Sequence, residues 1–308
     1  MTPRITAAVH AVDPAAVMRL LPTRPRLLAV GEPTHGEDVL LDIRNELFRH
    51  LVEQEGYRTI ALESDCLMGL VVDDHVTSGT GTLDEVMERG FSHEWGAFAA
   101  NRELVRWMRA FNDGRPESER VRFAGFDGPL EITGAASPRQ ALTALHTYLT
   151  ARVDAALLPC TAESLDELLG AAERSPTLVN AHNGHLQRNR STMRMGGRPL
   201  EWWSAGAIVA AHMGEEYVFL ATALGTIRHQ GVDAPPPDTV EGLLYALPQE
   251  RCLVDARRLA GTLADTTLVP RVSPWYGYAP LDPAHLAGTE GIVFVKDTAS
   301  DTSRRARV

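Results

Sequence analysis

Short apolar runs that end in polar residues recur along this chain: RLLAVGE, RTIALES, VRFAGFD, TLVNAHN, EYVFLATAL, RCLVDAR and GIVFVKD. Each has the length of a buried strand, and helical patterns separate most of them. Strands that alternate with helices pack as an α/β fold, so the spacing predicts a largely parallel central sheet of seven strands flanked by helices. The helical patterns fall at 14–21, 38–55, 97–111, 138–151, 165–173, 202–212 and 240–247. Residues 112–120 read as a polar loop, and GVDAPPPD is irregular because successive prolines donate no backbone hydrogen bonds.

The 308 residues, 44% of them hydrophobic, suffice for one sizeable domain over 1–308. A net charge of -10 argues against nucleic acid or an anionic membrane surface as partner, since both need a concentrated positive footprint. Cys66, Cys160 and Cys252 are odd in number and widely spaced, which suits structural thiols in a reducing compartment. No run of about 18 apolar residues occurs, so the expected location is cytoplasmic. Residues 298–308 lack apolar content and are expected to form a flexible tail.

The stretch VGEPTHGEDVLLDIRNEL concentrates ionisable groups where a strand ends and a helix begins. At about 100° per residue, Leu40, Ile43, Leu47 and Leu51 form one stripe, and Arg44 falls within it rather than on the polar face. Arg44 therefore points at the core. A buried guanidinium left unpaired would cost several kcal/mol, so a carboxylate partner is expected.

Glu32 and Glu63 end successive strands and emerge at one carboxyl edge, where open α/β sheets bind ligands. His35 follows Glu32. Asp127 in GFDG ends another strand, and NAHNGH places His182, Asn183 and His185 beyond a later one. So many converging groups point to an active or metal site more than to ordinary capping of helix starts. Glu32, His35, Glu63 and His185 could together ligate a divalent ion, and spacing alone does not separate that set from an acid-base centre. His93 and Trp95 in FSHEWG read as packing or as a pocket wall that contacts substrate. Arg228 and His229 are expected to stand behind the same edge. A phosphate cradle is excluded because GEPTHG lacks the glycines and the following Lys and Ser/Thr, and no Gly-x-Ser-x-Gly elbow surrounds Ser64.

GEPTHGEDVLLDIRNELFRHLVEQEGYRTIALES, with HEWGAFAANRELVRWMRAFN, FAGFDG, NAHNGH and TEGIVFVKD, resembles the erythromycin esterase family. The resemblance implies metal-independent hydrolysis of a macrolide lactone without a cofactor. It gives His35 the role of general base, with Glu32 and Glu63 orienting it or the water and Arg44 and His185 holding the site. A neutral imidazole suits that task near neutral pH. His182, Asn183, Asp127, His93 and Trp95 are then expected to face the substrate.

One departure stands out. Between GFDG and NAHNGH the chain has about fifty residues where the family carries a longer helical segment, so a shortened lid is expected over 128–177. The function expected is therefore a hydrolase acting on an ester or lactone of some bulky natural product, a small-molecule substrate. An alternative keeps the same centre for a tailoring step such as cyclisation, elimination or acyl transfer. A second alternative is a metal or haem binding protein with His35, His182 and His185 as ligands.

Overall fold

The computed structural model describes residues 5–128, 175–195, 198–272, 275 and 277–298. All seven apolar runs become strands of one eight-stranded sheet. They are β2 (Leu27–Glu32), β3 (Thr59–Asp65), β4 (Arg122–Asp127), β5 (Thr177–His182), β8 (Tyr217–Thr226), β9 (Arg251–Asp255) and β10 (Gly291–Asp297), with β1 (Val9–His10) as a short edge. The order is β1-β9-β10-β8-β2-β5-β3-β4. Every pair from β10 across to β4 is parallel, while β9 runs antiparallel to β10 and β1 to β9. A separate hairpin, β6 (Ser191–Met195) with β7 (Arg198–Trp202), was not expected.

Helices cover both faces: α1 (Pro14–Leu20), α2 (Asp38–Gln54), α3 (Cys66–Ser78), α4 (Leu83–Arg89), α5 (Ala99–Asn112), α6 (Asn183–Leu186), α7 (Ala205–Met213), α8 (Val240–Tyr245) and α9 (Ala256–Thr262). Strand side chains alternate between the faces. Leu28 and Val30 of β2 thus pack with Leu47 and Leu51 of α2, Val72 of α3 and Leu104 of α5. Leu27 and Ala29 of the same strand pack with Val209 of α7, Leu244 of α8 and Leu259 of α9. Full burial of each such leucine contributes roughly 1.5–3 kcal/mol, which fixes the register of β2 and hence where Glu32 emerges.

The sequence misses α3 because its polarity is scrambled. Asp73 and His75 are buried on it while Leu67 and Leu70 are exposed. Burial of Asp73 is compensated by Arg122 Nη2 at 2.5 Å and the Phe123 amide at 2.9 Å. Helix α7 begins at Ala205, later than expected, because Trp202 still belongs to β7 and the Ser204 side chain caps the helix by accepting from the Ala207 amide. Helices expected at 138–151 and 165–173, and Cys160, lie outside the described residues, as do the expected lid apart from its edges and nearly all of the tail. Cys252 is buried in the core, where desolvation pushes its thiol up to about 11.

Candidate active site

The chain runs from β2 outward to β3 and β4, then returns to place β5 and β8 on either side of β2. Ligands of open α/β sheets bind at the carboxyl edge where strand order reverses in this way. Glu32, Glu63, Asp127 and His182 lie at or near the carboxyl ends of β2, β3, β4 and β5. His35 lies on the loop after β2, and Gly36 turns that loop into α2 with φ +82, a conformation that L side chains rarely adopt.

His35 is the centre of the cluster. Its Nδ1 lies 2.8 Å from Glu32 Oε1, and its Nε2 lies 4.0 Å from Glu63 Oε2. An ionised carboxylate only accepts, so Nδ1 donates and the Nε2 lone pair faces Glu63 and the opening. The His35 side chain is 40% exposed, whereas Glu32 is 1% exposed. Burial pulls the His35 imidazole down, but the hydrogen bond it donates to Glu32 and the charges of Glu32, Glu63 and Asp127 outweigh it and leave it raised above its ordinary value.

Glu63 is held from a third side. Its Oε2 accepts the His182 backbone amide at 2.7 Å, and its Oε1 lies 3.2 Å from His185 Nε2. Both histidines of NAHNGH therefore reach the cluster: the His182 ring centroid is 5.4 Å from that of His35 and 5.7 Å from that of His185. His182 Nε2 approaches the Pro33 carbonyl at 3.2 Å. A carbonyl only accepts, so that nitrogen carries the proton. Burial first, then the neighbouring His35 and His185, lowers His182 to about 4, which keeps it neutral.

Trp95 packs against His35 with ring centroids 5.3 Å apart and approaches His93 at 6.5 Å. His93 Nε2 lies 3.6 Å from Asp127 Oδ2. Burial and the nearby Glu63 raise the Asp127 carboxyl, against a lowering pull from His93 and His185.

Arg44 is buried as expected, at 1% exposure, but its hydrogen bonds go to amides rather than to a carboxylate. It donates to Asn45 Oδ1 at 2.8 and 3.1 Å, to Asn101 Oδ1 at 2.7 Å and to Asn180 Oδ1 at 3.1 Å. Three oriented amide dipoles replace water around the cation, and desolvation still draws it down to about 10. The charge of Glu32 acts on it through space, and Glu32 Oε2 has no hydrogen-bond partner among the described residues. The guanidinium is thus a fixed counter-charge behind Glu32.

Asn183 differs from expectation. Its amide is buried against β8, with Nδ2 donating to the Thr222 carbonyl at 2.8 Å and Oδ1 near the Thr222 amide at 3.4 Å. Its side chain ties the start of α6 to β8 and is not presented to a ligand. His229 reaches Glu37 Oε1 at 3.1 Å, so Glu37 stands at the start of α2 without capping it. Arg228 lies on the same short turn.

Some groups at the site escape a sequence reading. The Pro33 carbonyl accepts both from His182 and from the Ala279 amide at 2.6 Å, which ties residues beyond β9 to the cluster. Among the described residues, no three His, Cys, Asp or Glu side chains converge as ligands of one metal ion. No described helix is long and apolar enough to cross a membrane.

Known proteins give the same outline. The family model for erythromycin esterase matches residues 52–168 and 159–275, together more than half of the chain. A succinoglycan biosynthesis protein is similar in structure at TM-score 0.66 and 15% identity, covering 96% of each chain. A mutant of the erythromycin esterase EreC in its open conformation superposes at TM-score 0.63 with 15% identity, covering 94% of this chain and 95% of that one. A Bacillus cereus protein follows at TM-score 0.62 and 13% identity, with 94% and 95% covered. At these identities the structures share the fold. No curated protein matches the sequence.

Proposed function

The chain belongs to the erythromycin esterase family, a family of hydrolases, and we propose that it hydrolyses an ester or lactone of a bulky, macrolide-type natural product with His35 as general base. The observation that carries this reading is the commitment of both His35 nitrogens, Nδ1 to a buried Glu32 and Nε2 toward Glu63.

A water that donates one proton to Nε2 and the other to Glu63 Oε2 turns its lone pair to the substrate carbonyl carbon. The oxygen–carbon bond forms as the proton passes to Nε2, and the imidazolium is stabilised by Glu32. The Arg44 guanidinium stands behind the buried Glu32 as a counter-charge. General-base assistance of this kind contributes about 10²–10⁴ in rate. His182, kept neutral by burial, directs its Nε2 proton to the Pro33 carbonyl.

The site supports a reading without metal or haem. Among the described residues no three His, Cys, Asp or Glu side chains converge as ligands of one metal ion, which favours the acid-base reading over the His35, His182 and His185 ligand set. Metal-stripped protein incubated with a panel of macrolactones and bulky esters tests the reading. Products heavier by one water, formed only with His35 intact, support hydrolysis; products of unchanged mass favour cyclisation or another tailoring step.

A further inference from the structure

A second histidine–carboxylate couple stands at the same carboxyl edge of the sheet, and nothing above gives it a step in the reaction. We propose that the Asp127–His93 couple delivers the proton to the leaving oxygen when the ester bond breaks. This rests on the hydrolase reading and adds to it the acid that an alkyl ester or lactone requires.

The geometry repeats the arrangement around His35. Trp95 packs near both imidazoles, 5.3 Å from His35 and 6.5 Å from His93 by ring centroid. Glu32 backs His35 on one side, and Asp127 backs His93 at 3.6 Å on the other. His93 is 45% exposed, so its ring is open to a substrate. At 3.6 Å this is an ion-pair contact, and catalytic contacts of this sort often tighten into hydrogen bonds only when substrate binds. Glu63 from β3 and His185 from α6 act on Asp127 as well, so both couples share one electrostatic centre.

The backbone holds His93 where no ordinary loop would. His93 and Glu94 adopt φ of 56 and 59, the left-handed region that non-glycine residues rarely occupy. Such strain, of order 1–3 kcal/mol per residue, persists only where the surroundings over-determine it, and it clusters at functional sites. Here the loop is bolted to β3: the Asp65 amide donates to Ser92 Oγ at 2.9 Å, and the Ser92 amide donates to Ser64 Oγ at 3.0 Å. A Cβ at Gly96 would lie 1.7 Å from the Met87 carbonyl oxygen, so the far end of the loop is pressed against α4.

His35 is poorly suited to return the proton itself. Three carboxylates, Glu32, Glu63 and Asp127, favour its protonated form, which makes it a good base and a reluctant acid. The step balances as follows. Water adds to the carbonyl carbon and its proton goes to His35. The tetrahedral oxyanion then re-forms the carbonyl as the carbon–oxygen ester bond breaks and its electron pair leaves on the alkoxide. His93, with Nε2 facing Asp127, gives the proton of its other ring nitrogen, Nδ1, to that oxygen and regains one from solvent, while His35 releases its own to solvent.

Leaving-group dependence tests the assignment. An alkoxide needs a proton as it departs and 4-nitrophenolate does not. His93→Asn, whose side chain tolerates the left-handed backbone, is compared with wild type on macrolactones and alkyl esters, and on 4-nitrophenyl acetate. The proposal expects kcat on the alkyl substrates to fall by about 10²–10⁴, and on the nitrophenyl ester by less than about threefold. Equal losses on both classes, or no loss on either, overturn the proton-donor role while leaving the hydrolase intact. Wild-type protein that turns over neither class overturns the hydrolase reading, and this assignment with it.

Discussion

Arg44 Nη2 donates to Asn101 Oδ1 at 2.7 Å across 57 residues of sequence, joining α2 to α5. Removing the acceptor would leave a buried charged donor short of one partner, a loss of about 1–3 kcal/mol. Asn101→Ala is therefore expected to lower the urea unfolding free energy by that amount without changing the m-value. A loss under about 0.5 kcal/mol would show that the cage around Arg44 re-forms without it.

His35 must be neutral to take a proton from water, and its surroundings hold it above the ordinary histidine value of 6.5. Activity is lost as pH falls through the folded value, so the acidic limb of kcat/KM is expected above pH 6.5. In Glu32→Gln the largest raising contribution is gone and burial remains, so the limb moves to lower pH while the plateau drops. A limb that stays in place would assign it to another group.

His182 makes a complementary case. Its value near 4 comes mainly from burial, so its imidazole is expected to stay neutral across the working range, protonated on Nε2 toward Pro33. Nitrogen NMR of histidine-labelled protein checks both points. A His182 that titrates near 6.5, or carries its proton on Nδ1, would contradict the geometry.

Glu63 receives the His182 amide and His185 and is expected to orient water rather than to hold the fold. Glu63→Gln keeps one acceptor oxygen for the amide yet loses the charge and one acceptor. Turnover is expected to fall about 10²-fold with little change in melting temperature, since misplacing a reactant by about 1 Å costs that much. A large stability loss with turnover unchanged per folded molecule would make Glu63 structural.

The strands were legible because those buried on both faces read as continuous apolar runs, and their polar endings marked the functional edge. Arg44 was legible as buried because one helical stripe contains it. Its partners were not, since they come from three separate elements, yet the same test applied to α5 puts Asn101 in line with Leu104, Val105 and Met108. Asn180, polar within the apolar run TLVNAH, was a further mark. Asn183 misled because a strand-end amide can turn inward to its neighbour as easily as outward to a ligand. The pairing of Ser64 with Ser92, and of Ala279 with Pro33, depends on loops whose meeting leaves no periodic trace.

The central claim is that His35 activates water at a carbonyl. Its direct test is incubation of metal-stripped wild type and His35→Gln with macrolactones in water labelled with heavy oxygen. The account predicts one labelled oxygen in the new carboxylate with wild type, and turnover reduced by about 10²–10⁴ in the variant. Undiminished turnover by His35→Gln, or product without the label, would contradict it.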